Sequence, residues 1–255
     1  MLFSKTPLTG CVIALNSERT ICNCIFSLST VCEEVIVLDS GSSDHTIELA
    51  RAAGATVITQ DWLGFGPQKN KCLEHASNTW VLSLDSDEEI SPSLIDEIKS
   101  LELSNIDTSY RITRENYIGK AKVRYSGWGN DKVIRIFNKN VTHFLDLPVH
   151  ESVIPTKIVK DLKGTIKHST CTTILELAKR NHHYGVLSFE NRLASGSYRK
   201  SVAESAIRSA WSFFRTWVLQ LGLLDGKLGF QISCMRAKYT FLKYHGPSQS
   251  HSKIR

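Results

Sequence analysis

The chain has 255 residues, 42% hydrophobic and 22% charged, enough to bury a large core in one α/β domain with an appendage or in two small domains. Its seven cysteines form no C-x-x-C pair, which argues against zinc and disulfides and favours reduced thiols in the cytoplasm. The net charge of +6 is unevenly distributed along the sequence. The residues from Gly196 onward include ten basic and two acidic residues (net +8), whereas those before Gly196 include 21 basic and 23 acidic residues (net −2).

Strands and helices alternate through the first half of the sequence. The predicted strands are Gly10–Leu15, Val35–Leu38, Thr56–Thr59 and Trp80–Leu84. The predicted helices are an apolar stripe from Ile21 to Leu28, a segment from the turn Ser40–Asp44 to about Ala53 with Gly54 as its stop, and a segment from Gln68 to about Ala76. Because this alternation is typical of a parallel sheet with helices on its faces, we predict an α/β fold.

The second and fourth predicted strands end in aspartate, at Asp39 and Asp85. Strand alternation places Asp85 and Asp87 on one side, with Ser86 turned away. Two adjacent carboxylates repel each other unless a cation lies between them, and oxygen ligands suit Mg or Mn. Ligands of open α/β sheets bind at this edge. The alternative is a surface acidic turn that caps the helix beginning near Pro92.

The middle and the C-terminal third continue with two strands and then helices. The predicted elements are strands at Tyr110–Arg114 and Lys132–Phe137, and helices at Ile174–Tyr184, from Phe189, along the apolar stripe Ala206–Leu221, and from about Leu228. Aromatic faces with basic flanks suit an interfacial position on an anionic membrane. The alternative is a helical hairpin that packs on the first domain with solvated lysines. We expect neither a secretion signal nor a membrane-spanning helix.

Four motifs follow one another in the first hundred residues. They are Asn16-Ser17-Glu18, Val37–Thr46, Gln68-Lys69-Asn70 and Leu84–Glu88. Together they resemble glycosyltransferase family 2, whose GT-A fold has a mostly parallel central sheet flanked by helices. Within that family the chain is most similar to bacterial enzymes that add a sugar to the inner core of lipopolysaccharide. A looser similarity continues through Gly127-Trp128, Val133–Phe137, Pro148–Glu151, His168, Leu224–Gly229 and Leu242–Tyr244.

The resemblance implies roles on the donor side. Asp39 would accept hydrogen bonds from the nucleobase or ribose, and Lys69 would lie near the base or the diphosphate. Asp85 would face the ribose and the metal's waters, while Asp87 would ligate a divalent cation, Mg or Mn, that bridges the phosphates. Glu18 would approach the nucleotide. The structural alternatives are a turn residue for Asp39, a helix-surface lysine for Lys69 and a first-turn helix acid for Glu18.

The resemblance also implies an acceptor side. Glu151 is the candidate general base, since an inverting single displacement needs one carboxylate to take the proton of the acceptor hydroxyl. His150 could orient Glu151 or bind phosphate or the acceptor, and His168 could be a third metal ligand. Trp128 could stack on a sugar, although a loop anchor is an equal account. Relatives often carry Trp-Tyr-Pro-Asp where this chain has Trp128–Asp131, which leaves the choice of acceptor open.

We therefore hypothesise an inverting transferase that moves a hexose from a nucleotide sugar, UDP-glucose or UDP-galactose, to a lipopolysaccharide-core or other lipid-linked acceptor. The expected partners also include an anionic membrane surface but no nucleic acid, with the protein peripheral at the cytoplasmic face of the inner membrane. The expected domains are a GT-A domain at 1–170 (donor half 8–100, acceptor half 101–170), basic helices at 171–245 and a polar tail at 246–255. The alternatives are a nucleotidyltransferase, which would need a glycine-rich first loop, and a non-catalytic basic binding protein.

Overall fold

The computed structural model describes residues 6–129, 131–146 and 152–247. As far as it describes them, the residues form two compact units. The first comprises Met1–Glu115 and Asp131–Ser169, and the second comprises Asn116–Asn130 and Thr170–Arg255. The predicted general base Glu151 and the predicted acceptor-binding residue His150 lie outside the described residues.

The strands join in one sheet. They are β1 (Thr6–Ala14), β2 (Cys32–Asp39), β3 (Thr56–Thr59), β4 (Trp80–Asp85), β5 (Glu88–Ile90), β6 (Thr108–Ile118), β7 (Ala121–Val123), β8 (Asp131–Asn138) and β9 (Ile158–Cys171). Their order is β3-β2-β1-β4-β8-β6-β9-β5, with β7 paired to β6. The strands β3-β2-β1-β4 are parallel to one another, whereas β8 joins β4 antiparallel and β5 joins β9 antiparallel. The predicted α/β class is confirmed, with an antiparallel extension beyond β4.

The helices of the first unit are α1 (Ile21–Ser29), α2 (Thr46–Ala52), α3 (Phe65–Glu74) and α4 (Pro92–Lys99). The parallel strands β1, β2 and β4 are largely buried on both faces, so successive side chains of β1 enter different cores. Leu8 and Val12 pack in the core that includes residues of α1 and α4, while Cys11 and Ile13 pack in the core that includes residues of α3. Helices on both faces therefore cover the parallel part of the sheet, as the sequence predicted.

The helix ends of the first unit follow local chemistry. Gly54 has a left-handed φ of 93°, and its N–H donates to Arg51 O, which ends α2 at the predicted stop. Ser91 caps α4 by accepting a hydrogen bond from the N–H of Leu94. The helix α3 begins at Phe65 rather than at the predicted Gln68, because a proline at position 67 is tolerated in the first turn.

The helices of the second unit are α5 (Ile174–Ala194), α6 (Val202–Phe214) and α7 (Gly226–His245), with a π-helical turn at Arg215–Leu219 and a 3₁₀ turn at Gly222–Asp225. The prediction that α5 is interrupted after Tyr184 is wrong. Gly185 lies inside the helix, where an added Cβ would come within 3.0 Å of Leu242 Cβ. This glycine therefore permits close packing of α5 on α7 instead of ending a helix. Among the described residues, no helix combines the length and apolarity needed to cross a bilayer.

Candidate functional site

A cavity of about 510 Å³ lies at the carboxyl ends of β1 and β4 in the first unit. Its lining residues come from the end of β1, the loop before α3, the end of β4 and β9: Ile13, Ala14, Leu15, Trp62, Phe65, Asp85, Ser86, Asp87 and His168. The edge of a parallel sheet at which strands end is the usual ligand-binding edge of an α/β fold. Three residues predicted from the sequence, Asp85, Asp87 and His168, therefore share one cavity.

Two aromatic side chains that the sequence analysis did not assign to the site form part of its wall. The rings of Trp62 and Phe65 meet edge to face with centroids 4.8 Å apart, and 47% of Trp62 is exposed. Aromatic faces at a cavity suit stacking on a planar base or a sugar ring. The available signal was two large aromatic residues in a loop whose glycines, Gly64 and Gly66, argue against a core strand.

Protein cations surround the carboxylate of Asp85. Lys69 Nζ lies 2.7 Å from Asp85 Oδ1, and a guanidinium nitrogen of Arg135 lies 2.8 Å from Oδ2. Arg114 is 3.8 Å from the same oxygen. Burial alone would raise the pKa of Asp85, but Arg135, Lys69 and Arg114 hold this pKa well below its ordinary value. Asp85 is thus ionised and already neutralised without a metal ion.

A buried arginine and glutamate behind Asp85 were missed from the sequence. Glu88, 1% exposed, accepts hydrogen bonds from Arg135 at 2.6 Å and from Arg114 at 3.2 Å, and its other oxygen accepts from the backbone N–H of Asp85 at 3.0 Å. Burial would lower the pKa of Arg135, yet Asp85 and Glu88 raise it. The signal was an arginine inside the apolar strand Val133–Phe137, since a buried charge requires a partner.

Asp87 lies in the turn between β4 and β5. The prediction that it lies beside Asp85 assumed that the strand continues to Asp87, whereas β4 ends at Asp85. Its Oδ2 is 3.3 Å from Nε2 of His168 in β9, and both side chains line the cavity. One carboxylate and one imidazole suit a cation such as Mg or Mn that takes its other ligands from phosphates and water. Among the described residues, no group of three or more His, Cys, Asp or Glu side chains is arranged to hold a metal.

Asp39 and Glu18 make local contacts in this structure. Asp39 is fully buried, and its Oδ2 accepts hydrogen bonds from the N–H groups of Gly41 at 2.9 Å and Ser42 at 2.8 Å. Glu18 Oε2 accepts from the N–H of His45, 3.3 Å away, just before α2. Neither side chain is among the described residues that line the cavity. Lys69 is 2% exposed, so it is not the helix-surface lysine that the alternative required.

The acceptor-side residues are distributed differently. Trp128 belongs to the second unit, where it packs on the small core that contains Ile118, Val123 and Ile232. Its carbonyl accepts a hydrogen bond of 3.3 Å from Asn116. These contacts are those expected of a side chain that anchors a loop, which was the alternative to sugar stacking for Trp128. His150 and Glu151 are not described, so their roles remain predictions.

A family model and two relatives of known sequence agree on the family of this chain. The model of "Glycosyl transferase family 2" matches residues 10–156. An uncharacterized glycosyltransferase of Rickettsia typhi is 30% identical over 245 residues, which cover 91% of this chain and 83% of the relative. The lipopolysaccharide core biosynthesis glycosyltransferase LpsC of Rhizobium meliloti is 25% identical over 262 residues, 98% of this chain and 95% of LpsC.

Solved structures resemble the chain more distantly. Glucosyl-3-phosphoglycerate synthase from Mycobacterium tuberculosis, crystallised with Mg²⁺ and uridine diphosphate, is 28% identical with a TM-score of 0.37. That match spans 43% of this chain and 43% of the synthase, less than half of either. TarS of S. aureus matches 92% of this chain and 55% of its own, with 18% identity and a TM-score of 0.48.

Proposed function

Because the chain belongs to glycosyltransferase family 2 and has the GT-A fold, we propose that it moves a hexose from a nucleotide-diphosphate sugar to the inner core of lipopolysaccharide, with inversion. The observation that carries this proposal is the meeting of Asp85, Asp87 and His168 in one cavity at the carboxyl ends of β1 and β4. The similarity to LpsC over almost the whole chain supports the acceptor class. UDP-glucose or UDP-galactose is the proposed donor.

The donor half binds the nucleotide at this cavity. Lys69 and Asp85, held 2.7 Å apart, present a fixed charge pair to the ribose and diphosphate. Trp62 and Phe65 offer the aromatic wall on which a base or sugar packs. The contact of Asp39 with the nucleobase or ribose is proposed from the resemblance alone, because Asp39 is fully buried and does not line this cavity.

A divalent cation, Mg²⁺ or Mn²⁺, bound by Asp87 and His168 would offset the charge that develops on the departing nucleoside diphosphate. The 3.3 Å approach of the two side chains supports this pairing, because carboxylate and imidazole then face one point of the cavity. Lys69 lies near enough to Asp85 to contribute positive charge on the same side. Asp85 itself is held by Arg135 and Lys69, so its contact with the metal would run through water.

Transfer of the sugar requires a general base that deprotonates the acceptor hydroxyl. Glu151 takes the proton of the acceptor hydroxyl while its oxygen forms the new bond to the anomeric carbon. The bond from that carbon to the diphosphate breaks in the same displacement, and the nucleoside diphosphate leaves with the electron pair. His150 and Trp128 are proposed to contact the acceptor, a heptose or Kdo residue. The lipid-linked acceptor implies work at the cytoplasmic face of the inner membrane, with an anionic lipid surface as partner.

The product in cells tests the function. We expect mass spectrometry of lipopolysaccharide from cells that lack this chain to show an inner core shorter by one hexose, restored by the wild-type gene. The loss of a hexose from another glycan would reassign the acceptor but keep the transferase. Unchanged glycans in the deletion strain would overturn the proposal.

Glu151→Gln tests the base. The amide cannot accept the proton, so transfer should fall by on the order of 10²–10⁴-fold. UDP binding, measured by calorimetry, should be unchanged because Glu151 acts on the acceptor. The assignment is wrong if Glu151→Gln turns over donor and acceptor at a near-normal rate.

A further inference from the structure

Part of the second unit exposes large apolar side chains that its own core does not cover. Ile207, Trp211 and Phe214 are 71%, 58% and 44% exposed along α6. Leu219, Leu221 and Leu224, in the turns that follow, are 58%, 46% and 56% exposed. We call these six residues the apolar ridge. A cluster of this kind on a folded protein usually marks an interaction surface.

The spacing of the ridge follows the geometry of the helix. Residues 207, 211 and 214 are four and three positions apart, so they lie along one face of α6. Another face of α6 packs on α7, where Ser209 Oγ donates to the carbonyl of Ala237 at 2.6 Å. The exposed face is therefore the one left over after the helical hairpin has formed.

The backbone at Leu221 gives a second observation. Leu221 has a φ of +56°, a left-handed conformation that costs a branched side chain on the order of 1 kcal/mol. Its side chain remains 46% exposed, so the fold does not recover that energy by burying the leucine. Strained conformations persist where the surrounding structure holds them, and they are common at ligand-binding and switch regions.

Basic side chains adjoin the ridge in sequence. Arg215 follows Phe214, Lys227 lies three residues after Leu224, and Arg236 lies in the part of α7 that packs on α6. Among the described residues, none of the three cations forms an ion pair with a carboxylate. Burial and the charge of Arg215 lower the pKa of Arg236, so the two arginines lie close enough to repel each other.

From these observations we infer that the apolar ridge and the cations Arg215, Lys227 and Arg236 form a docking surface for an anionic lipid bilayer. The inference rests on the proposed function, in which the acceptor is lipid-linked. The ridge would enter the boundary between headgroups and acyl chains, and the cations would bind lipid phosphates. A second copy of the chain fits less well, since a two-fold contact through this face would bring the same unpaired cations together.

Vesicle binding by the full chain tests the surface. We expect the protein to sediment with vesicles of equal parts phosphatidylcholine and phosphatidylglycerol, and to bind pure phosphatidylcholine far more weakly. The double variant Trp211→Ser, Phe214→Ser should lower the partition coefficient by at least about tenfold. Arg215→Glu changes the local charge by two units and should lower it by more than about fivefold, the effect of one lost cation, on the anionic vesicles only.

The matched control is Phe26→Ser in α1 of the first unit, an aromatic residue with a similar exposure of 57%. We expect it to bind vesicles as the wild type does. Equal binding by wild type, ridge variants and control would overturn the inference. So would a dimer, seen by sedimentation velocity without lipid, that the ridge variants dissociate, because the ridge would then be a self-association surface.

A second readout separates this inference from the proposed function. Manganese-dependent UDP binding in solution is measured on the same proteins, and the ridge variants should retain it. Vesicle binding that fails while UDP binding persists removes only the docking surface. UDP binding that fails in the wild type, with vesicle binding intact, removes the transferase proposal and leaves a lipid-binding surface.

Discussion

At the scale of single residues, Asp85 and Asp87 have different surroundings although two positions separate them. Asp85 is 2.7 Å from Lys69 and 2.8 Å from Arg135, so protein cations balance its charge. Asp87 faces His168 across 3.3 Å in the cavity wall. Removing a carboxylate should therefore have different consequences: at Asp85 it also removes the partner of buried cations, whereas at Asp87 it removes the proposed metal ligand.

The substitution Asp87→Asn tests the proposed metal ligand. Donor hydrolysis that depends on a divalent cation should fall by on the order of 100-fold or more, since even indirect partners of metal ligands contribute 10–100-fold. The matched control is Glu89→Gln, an exposed carboxylate two residues away that pairs with Lys167. We expect near-normal turnover from the control. Equal activity of the two variants would refute the assignment of Asp87.

Arg135→Met tests the buried cation in metal-free buffer. Removing it takes from the buried Glu88 its closest cation and from Asp85 the cation on Oδ2, which should cost about 3–5 kcal/mol at neutral pH. Because the pKa of Asp85 is lowered in the folded state, its ionisation stabilises the fold above its ordinary pKa, and this is lost only as pH falls through the lowered value. In the variant the folded-state pKa of Asp85 rises toward its ordinary value, so less stability is lost in acid and the difference from the wild type narrows as the pH falls.

Urea unfolding across the acidic range measures both effects of Arg135→Met. Arg111→Met is the control, since Arg111 pairs with an exposed carboxylate, Asp161, at 2.6 Å. We expect a much smaller loss there, because water screens the exposed pair. Equal losses for the two variants would contradict the special role given to Arg135.

Part of the site could be predicted from the sequence because its residues come directly after a predicted strand. Asp85 and Asp87 were recognisable at the end of an apolar run, and the resemblance added His168. Arg135 and Glu88 were not recognised, because strand alternation does not reveal which faces meet across β4, β5 and β8. The contacts of Asp39 within its own turn were weighed only as an alternative. Roles on the nucleotide remain predictions for all of these residues.

At the scale of elements, Asp225 connects the helical hairpin to the loop that carries Trp128. Its two oxygens accept hydrogen bonds of 3.0 Å from the backbone N–H groups of Arg124 and Tyr125 and from Ser126 Oγ. Ser126 is fully buried with a left-handed φ of 60°, so the loop needs these bonds to hold its shape. The resemblance included Asp225 in the segment Leu224–Gly229, but no role was predicted for this residue.

Asp225→Ala should destabilise the protein by about 2–3 kcal/mol, since hydrogen bonds to a charged group are lost and two N–H groups lose their acceptor. If the loop contacts the acceptor, the acceptor KM should also rise while UDP binding is unchanged. Thermal unfolding and steady-state kinetics measure the two effects. The control Glu190→Ala, an exposed acid on α5, should change neither. Unaltered stability in Asp225→Ala would show that the three bonds are dispensable.

Most helices and strands could be predicted from the spacing of apolar residues, because an element that buries one face repeats its apolar residues regularly. The strand Thr56–Thr59 and the start of α4 at Pro92 occur as predicted, and β2 and β4 extend the predicted strands by a few residues. The predictions were less accurate where packing overrides a local signal. The helix predicted to end at Tyr184 continues through Gly185, where α5 contacts α7. The short strand β7 was missed because three residues carry too little periodicity.

At the scale of the whole molecule, composition and exposure point to the same part of the chain. The residues from Gly196 onward hold the excess positive charge, and the same region exposes the apolar ridge. Charge counting from the sequence identified this region, but only the structure separates exposed apolar residues from those that pack between helices. The functional division of the chain at residue 170 stays a prediction.

A crystal structure of the protein with UDP and Mn²⁺ tests the central claim most directly, since the anomalous signal of manganese locates the ion independently of the nucleotide. We expect the ion bound to Asp87 and His168 and in contact with the diphosphate, with the nucleotide in the cavity lined by Trp62, Phe65 and Asp85. Manganese and UDP bound together at another site, or no binding at saturating concentration, would contradict the account.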